Sequence, residues 1–152
     1  MDLTVLDRCF ELEIHADAVD LREASAWLEK TGIATKVPAD QIFRLDMCLN
    51  EALANIIEHG GPAAKSSPVN LTFLPHTNEA TLFVTDSGNA FNPLDATPKA
   101  VPHSLADAEP GGLGVGLMKT FTDAVSYKYD QGRNCLGFTV RWSSSPDDSR
   151  AS

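Results

Sequence analysis

From Asp40 to His59, apolar side chains return every three to four positions, at Leu45, Leu49, Ala52, Leu53, Ile56 and Ile57. That period belongs to a helix with one apolar arc, and such a helix has to lay its arc on a second layer of structure. Asp40, two residues beyond Pro38, is the expected N-cap, and Gly60, Gly61 and Pro62 supply the stop. Arg44, Glu51, Asn55 and Glu58 fall near the opposite side of the wheel.

The second layer is written as short strands. VNLTFLP (69–75) and ATLFVTD (80–86) are rich in β-branched and aromatic residues and flank a four-residue turn. AVSYKY (124–129) and CLGFTVRW (135–142) repeat the arrangement around Asp130 to Asn134. Residues 8–14 read as a first strand with Glu11 and Glu13 facing outward. Between it and the long helix, Leu21, Ala24, Ala26, Trp27 and Leu28 predict a helix over 19–30 that stops at Gly32.

Residues 87–112 break the pattern. They carry Pro93, Pro98, Pro102 and Pro110 and almost no apolar period. Irregular connections beyond ~12–15 residues in a compact domain usually serve function, and the 40 residues that follow are too few for an independent core. A lid is expected here, with a short helix over about 115–122 after it. The predicted class is α/β (α+β), a two-layer sandwich of helices and a mixed, mostly antiparallel sheet. One domain over 1–143 and a disordered polar tail over 144–152 account for the chain, which at 152 residues and 43% hydrophobic content supports one core.

A net charge of −9 argues against a nucleic-acid binder, which neutralises phosphates with Lys and Arg. Cys9, Cys48 and Cys135 are odd in number and lack a C-x-x-C spacing, so reduced thiols are expected and structural zinc is not. The first residues are too charged for a signal peptide, and no stretch approaches the ~20 apolar residues of a membrane span. A soluble cytoplasmic protein is the expectation.

Three stretches hold residues with chemical potential. In NEALANIIEHGG (50–61), Glu51, Asn55 and Glu58 share one helical stripe; a plain solvated face would look the same. In VTDSGNAFNP (84–93), Asp86 ends a strand and Gly88 permits a sharp turn. This is a common strand closure, or a carboxylate placed to accept from an exocyclic amine such as that of adenine. In EPGGLGVGLMKTF (109–121), four glycines crowd the entry to the short helix, where each costs roughly 1 kcal/mol relative to Ala inside a helix. They suit either a hinge or close approach of backbone N–H groups to an anion.

In this order the three stretches resemble the ATP-binding domain shared by gyrase-type ATPases and sensor histidine kinases, the GHKL or Bergerat fold. Within it they are most similar to the small anti-sigma-factor serine-protein kinases of bacteria. The N box of that family matches Glu51, Asn55, His59 and Gly60; its D-x-G box matches Asp86 and Gly88, followed by Phe91 and Pro93; its glycine box matches Gly111, Gly112, Leu113, Gly114 and Leu117, with Asp123 beyond. The likeness spans about residues 8–142.

The resemblance implies that Asn55 ligates a Mg²⁺ bridging the ATP phosphates and that Asp86, with Gly88, receives the adenine. Backbone from Gly112 through Leu113, Gly114, Val115 and Gly116 would line the phosphates, with Lys119 in support, and Glu51 would be the general base. It further implies an ATP- and Mg²⁺-dependent serine/threonine kinase of a small anti-anti-sigma (antagonist) protein, controlling a sigma factor by partner switching, in a possible homodimer. Two departures stand out: Gly116 replaces a larger residue, and the lid offers only Lys99 and His103 for phosphates. His59 is expected as a capping or supporting residue. The competing readings are a nucleotide-gated binding module without kinase activity and a detached histidine-kinase catalytic domain.

Overall fold

The computed structural model describes residues 8–94 and 114–143. Most of the expected lid, including Lys99 and His103, lies outside the described residues, as do Gly112, Leu113 and the tail 144–152. The elements run β1 (Phe10–Ile14), α1 (Ala18–Ala34), α2 (Ala39–His59), α3 (Gly61–Ser66), β2 (Val69–His76), β3 (Glu79–Asp86), α4 (Gly114–Phe121), β4 (Ala124–Asp130) and β5 (Arg133–Arg141). The strands form one sheet in the order β1-β2-β3-β5-β4.

Every pairing in that sheet is antiparallel. The two-layer sandwich is as expected, but the described strands show none of the parallel pairing that a mixed sheet requires. Both hairpins join neighbours directly, and β5 inserts beside β3, so no crossover to a parallel partner is needed.

Alternation in the strands sends one set of side chains inward. Val69, Leu71 and Phe73 on β2, Ala80, Leu82 and Val84 on β3, and Leu136, Phe138 and Val140 on β5 are all buried. Leu28 of α1 and Leu45, Leu49 and Leu53 of α2 close over them in one core. The apolar arc of α2 is rotated slightly from the wheel drawn on the sequence. Ile42 and Cys48 belong to it, whereas Ile57 is 46% exposed.

Helix ends depart from expectation for local reasons. Asp17 caps α1 by accepting from the Asp20 N–H at 2.8 Å. Gly32 does not stop that helix. The stop comes at Lys36, left-handed at φ +65°, where the Lys36 N–H donates to Ile33 O and the Val37 N–H to Gly32 O. This is a Schellman motif with lysine in the usual glycine position. Gly32 is buried for another reason, since a Cβ there would lie 2.8 Å from the Ile42 side chain where α1 meets α2.

Asp40 is not the N-cap of α2 either. Pro38 holds that position without a side-chain bond, and Asp40 sits in the first turn, where its charge complements the helix dipole. After α2, Gly61 at φ +71° redirects the chain, and Pro62 opens the unexpected α3. A proline in a first helical turn sacrifices no internal hydrogen bond, so a stop signal for one helix serves as the start of the next.

The short helix α4 occurs where the sequence placed it. Its Phe121 ring meets Phe43 of α2 edge-on at 6.5 Å, with the Arg44 guanidinium 6.0 Å from the Phe121 centroid. Among the described residues no helix is long and apolar enough to cross a membrane.

Candidate functional site

A cleft lies between the C-terminal half of α2 and strands β3, β4 and β5. Apolar side chains such as Ala52, Ile56, Val84 and Leu136 form much of its wall. Only four polar or charged residues are buried among those described, and three of them, Asn55, Asp86 and Asn134, line this cleft. Burying polar groups is costly unless they are bonded or serve a ligand, so their convergence marks the site.

Asp86 ends β3 and is 6% exposed. Its Oδ1 accepts from the Gly88 N–H at 2.8 Å and from Asn134 Nδ2 at 3.2 Å. Among the described residues its second carboxylate oxygen has no hydrogen-bond partner. The turn that follows is pinned to the end of α2, where the Asn89 N–H donates to Gly60 O at 2.9 Å. The His59 ring stacks on Phe91, with centroids 4.2 Å apart and planes 14° from parallel. His59 is thus a stacking platform rather than a cap; the Gly60 N–H closes the helix onto Ile56 O.

Asn55 is 8% exposed, and its side-chain amide has no hydrogen-bond partner among the described residues. One helical turn earlier, Glu51 is half-buried and its Oε1 is buried with no partner among the described residues. Burial, and to a lesser degree the Glu58 carboxylate, pushes the Glu51 pKa up. Glu51 does not itself line the cleft. Below it, burial and the Glu51 charge push the Cys48 thiol up to about 12. At neutral pH, alkylating reagent is therefore expected to label the exposed Cys9 on the folded protein and to leave Cys48 unmodified until denaturant is added. Mass mapping of labelled peptides checks this.

Asn55 and Asp86 are thus brought together, with Gly88 bonded directly to the Asp86 carboxylate. Lys119 on α4 is exposed and outside the cleft wall. Gly114, Val115 and Gly116 form the first turn of α4, and the backbone alone defines their place.

The residue that sequence reasoning missed is Asn134. It reads as the end of a hairpin turn, yet its side chain bonds five groups from β3, β4 and the 88–91 turn. The only route to it is the register that sets Asp86 opposite Asn134. No group of three or more His, Cys, Asp or Glu among the described residues is arranged to hold a metal. A divalent cation in this cleft would draw on Asn55 for one oxygen and on water or a bound ligand for the rest.

Known proteins resemble this chain in sequence and in fold. Residues 14–140 match the family model described as histidine kinase-like ATPase domain. The chain is 34% identical over 128 residues to the serine/threonine-protein kinase BtrW of Bordetella bronchiseptica, covering 84% of this chain and 90% of that protein. It is 31% identical over 111 residues to the serine-protein kinase RsbW of Bacillus licheniformis, covering 69% of each. In fold it is similar to the RsbU and RsbW domains of a Mycobacterium tuberculosis protein, with a TM-score of 0.64 at 14% identity over 88% of this chain, which spans 32% of that longer one. It is also similar to a chain of the SiaB–SiaC complex of Pseudomonas aeruginosa, with a TM-score of 0.53, 14% identity and coverage of 88% and 89%.

Proposed function

The chain belongs to the histidine kinase-like ATPase domain family, and on that footing we infer that it is an ATP-dependent protein serine/threonine kinase. Its substrate in this reading is a hydroxyl of a small anti-anti-sigma protein, and the outcome is partner switching that frees or sequesters a sigma factor. Relatives named as serine or serine/threonine kinases support the reaction class. A net charge of −9 favours a protein partner over nucleic acid. A homodimer is the assembly this reading expects.

The observation that carries the reading is the pair on α2. Asn55 and Glu51 are one turn apart: Asn55 is 8% exposed and lines the cleft with no side-chain hydrogen bond among the described residues, and Glu51 Oε1 is buried without a partner among them. Phosphoryl transfer needs positioning and charge neutralisation more than covalent chemistry. Asp86 would accept from the adenine amine with its unpartnered oxygen while Phe91 and Ile56 wall the base. Asn55 would hold Mg²⁺, which when bound neutralises charge between the phosphates. Glu51, its pKa raised towards that of a working base, would take the proton from the acceptor hydroxyl. The backbone at Gly114 and Gly116, opening α4, would face the phosphates.

Incubation with γ-labelled ATP, Mg²⁺ and a candidate antagonist should place label on the antagonist's serine or threonine. Normal ATP binding with no transfer to any antagonist would remove the kinase reading. One observation favours the second reading, a nucleotide-gated binding module: Glu51 lies outside the cleft wall. Antagonist release that responds to ATP in Glu51→Gln as it does in the parent would support that alternative.

A further inference from the structure

The acidic group of the cleft is held in one orientation by a neighbour that no motif contains. Asn134 is 5% exposed and opposite Asp86 in the β3–β5 register. Its Nδ2 donates to Asp86 Oδ1 at 3.2 Å, Asn89 O at 3.0 Å and, more weakly, Gly88 O at 3.4 Å. Its Oδ1 accepts from the Phe91 N–H at 3.1 Å and from the Tyr127 hydroxyl. Turning the amide over would set its oxygen against three acceptors and its nitrogen against two donors, so a single orientation serves all five groups.

Two donors, Asn134 Nδ2 and the Gly88 N–H, therefore converge on Asp86 Oδ1. They commit that oxygen to the protein and leave the other for whatever enters the cleft. We propose that Asn134, held by Tyr127, is a positioning residue that fixes which edge of Asp86 faces the base. It thereby sets a preference for a purine with an exocyclic amine over one with a carbonyl at the same place. The proposal rests on the reading of Asp86 as the base-recognising group.

A purely architectural Asn134 would, when lost, weaken all nucleotides alike. A positioning Asn134 changes the ratio between them. The test is calorimetric titration of the full chain with ATP and with GTP, each with Mg²⁺, for the parent and three variants. In Asp86→Asn, the two convergent donors force the new carbonyl oxygen into the Oδ1 place and turn the NH₂ toward the cleft. That edge repels an amine and suits a carbonyl, so the ATP:GTP affinity ratio should fall by roughly 100-fold. In Asn134→Leu the carboxylate loses one of its two anchors, and the ratio should fall about tenfold. Tyr127→Phe deletes only the hydroxyl behind Asn134 and should lower the ratio about threefold, which keeps the test decisive if Asn134→Leu does not fold.

A ratio unchanged in Asp86→Asn removes the base-recognition reading and this proposal with it. A shift in Asp86→Asn alone, with ATP and GTP falling in parallel or not at all in the other variants, overturns the positioning role and leaves Asp86 as the reader.

Discussion

Glu51→Gln is expected to lower phosphoryl transfer by roughly 10²–10⁴-fold while ATP binding stays near that of the parent. The amide keeps the size of the side chain and removes its capacity to take a proton. Glu51 lies outside the cleft wall, so nucleotide contacts should survive. The same change should make the protein more stable. Burial and the Glu58 charge disfavour the ionised form, so the folded chain holds this proton more tightly than the unfolded chain does. The favourable contribution is complete below the ordinary glutamate range and is lost as pH rises through the raised folded value. At neutral pH the carboxylate thus works against the fold, and a neutral amide relieves it. Because the side chain is half-exposed, solvent screening keeps the gain small, about 1 kcal/mol or less, which is a rise in Tm of roughly 2–4 °C at most. Melting curves at pH 7 and below pH 4 separate the effects, since the gain should vanish at acid pH. Undiminished transfer in Glu51→Gln would exclude this residue as the base.

Gly88→Ala should cost both stability and nucleotide binding. A Cβ at this position would lie 2.9 Å from both the Cα and the carbonyl oxygen of Gly60 and 2.9 Å from Asp86 Oδ1. Gly60 is backbone, tied to Ile56 O at 2.8 Å, and cannot swing aside as a side chain would. The 86–91 turn would instead back away from α2, loosening the Asn89–Gly60 bond and the His59–Phe91 stack. Overpacking of this kind typically costs about 1–3 kcal/mol. ATP affinity should fall by more than about tenfold, because the displaced turn carries Asp86 with it. Denaturant titration and fluorescent-nucleotide binding measure the two losses. Normal binding by Gly88→Ala would mean that the turn is not pinned against the helix.

The motif residues were legible because each has a local reason to be unusual. Asp86 ends a β-branched run, Gly88 follows it, and Glu51 and Asn55 sit at helical spacing on a stripe that could equally have faced water. Local patterning likewise announced α2, both hairpins and α4, since periods of two and of three to four residues are properties of neighbouring side chains. Helix ends were less legible. Gly32 resembles a terminator, but the close approach of α1 to α2 gives it a packing reason, and a lysine takes the left-handed position four residues later. Pro62 reads as a breaker and proves to be a starter, because only the following turn reveals which.

Periodicity and spacing were thus enough for the two-layer α/β class and to mark Glu51, Asn55, Asp86 and Gly88 as candidates, while the roles expected of them came from the family resemblance. Which side of the stripe on α2 is wet was a tertiary matter: Asn55 is buried and Glu58 is not, and the difference depends on where β3 and β5 lie beneath the helix. Asn134 depended on tertiary structure altogether. Its bonds reach to Asp86, Gly88, Asn89 and Phe91, more than 40 residues away, and no local pattern encodes a partner brought alongside by strand register.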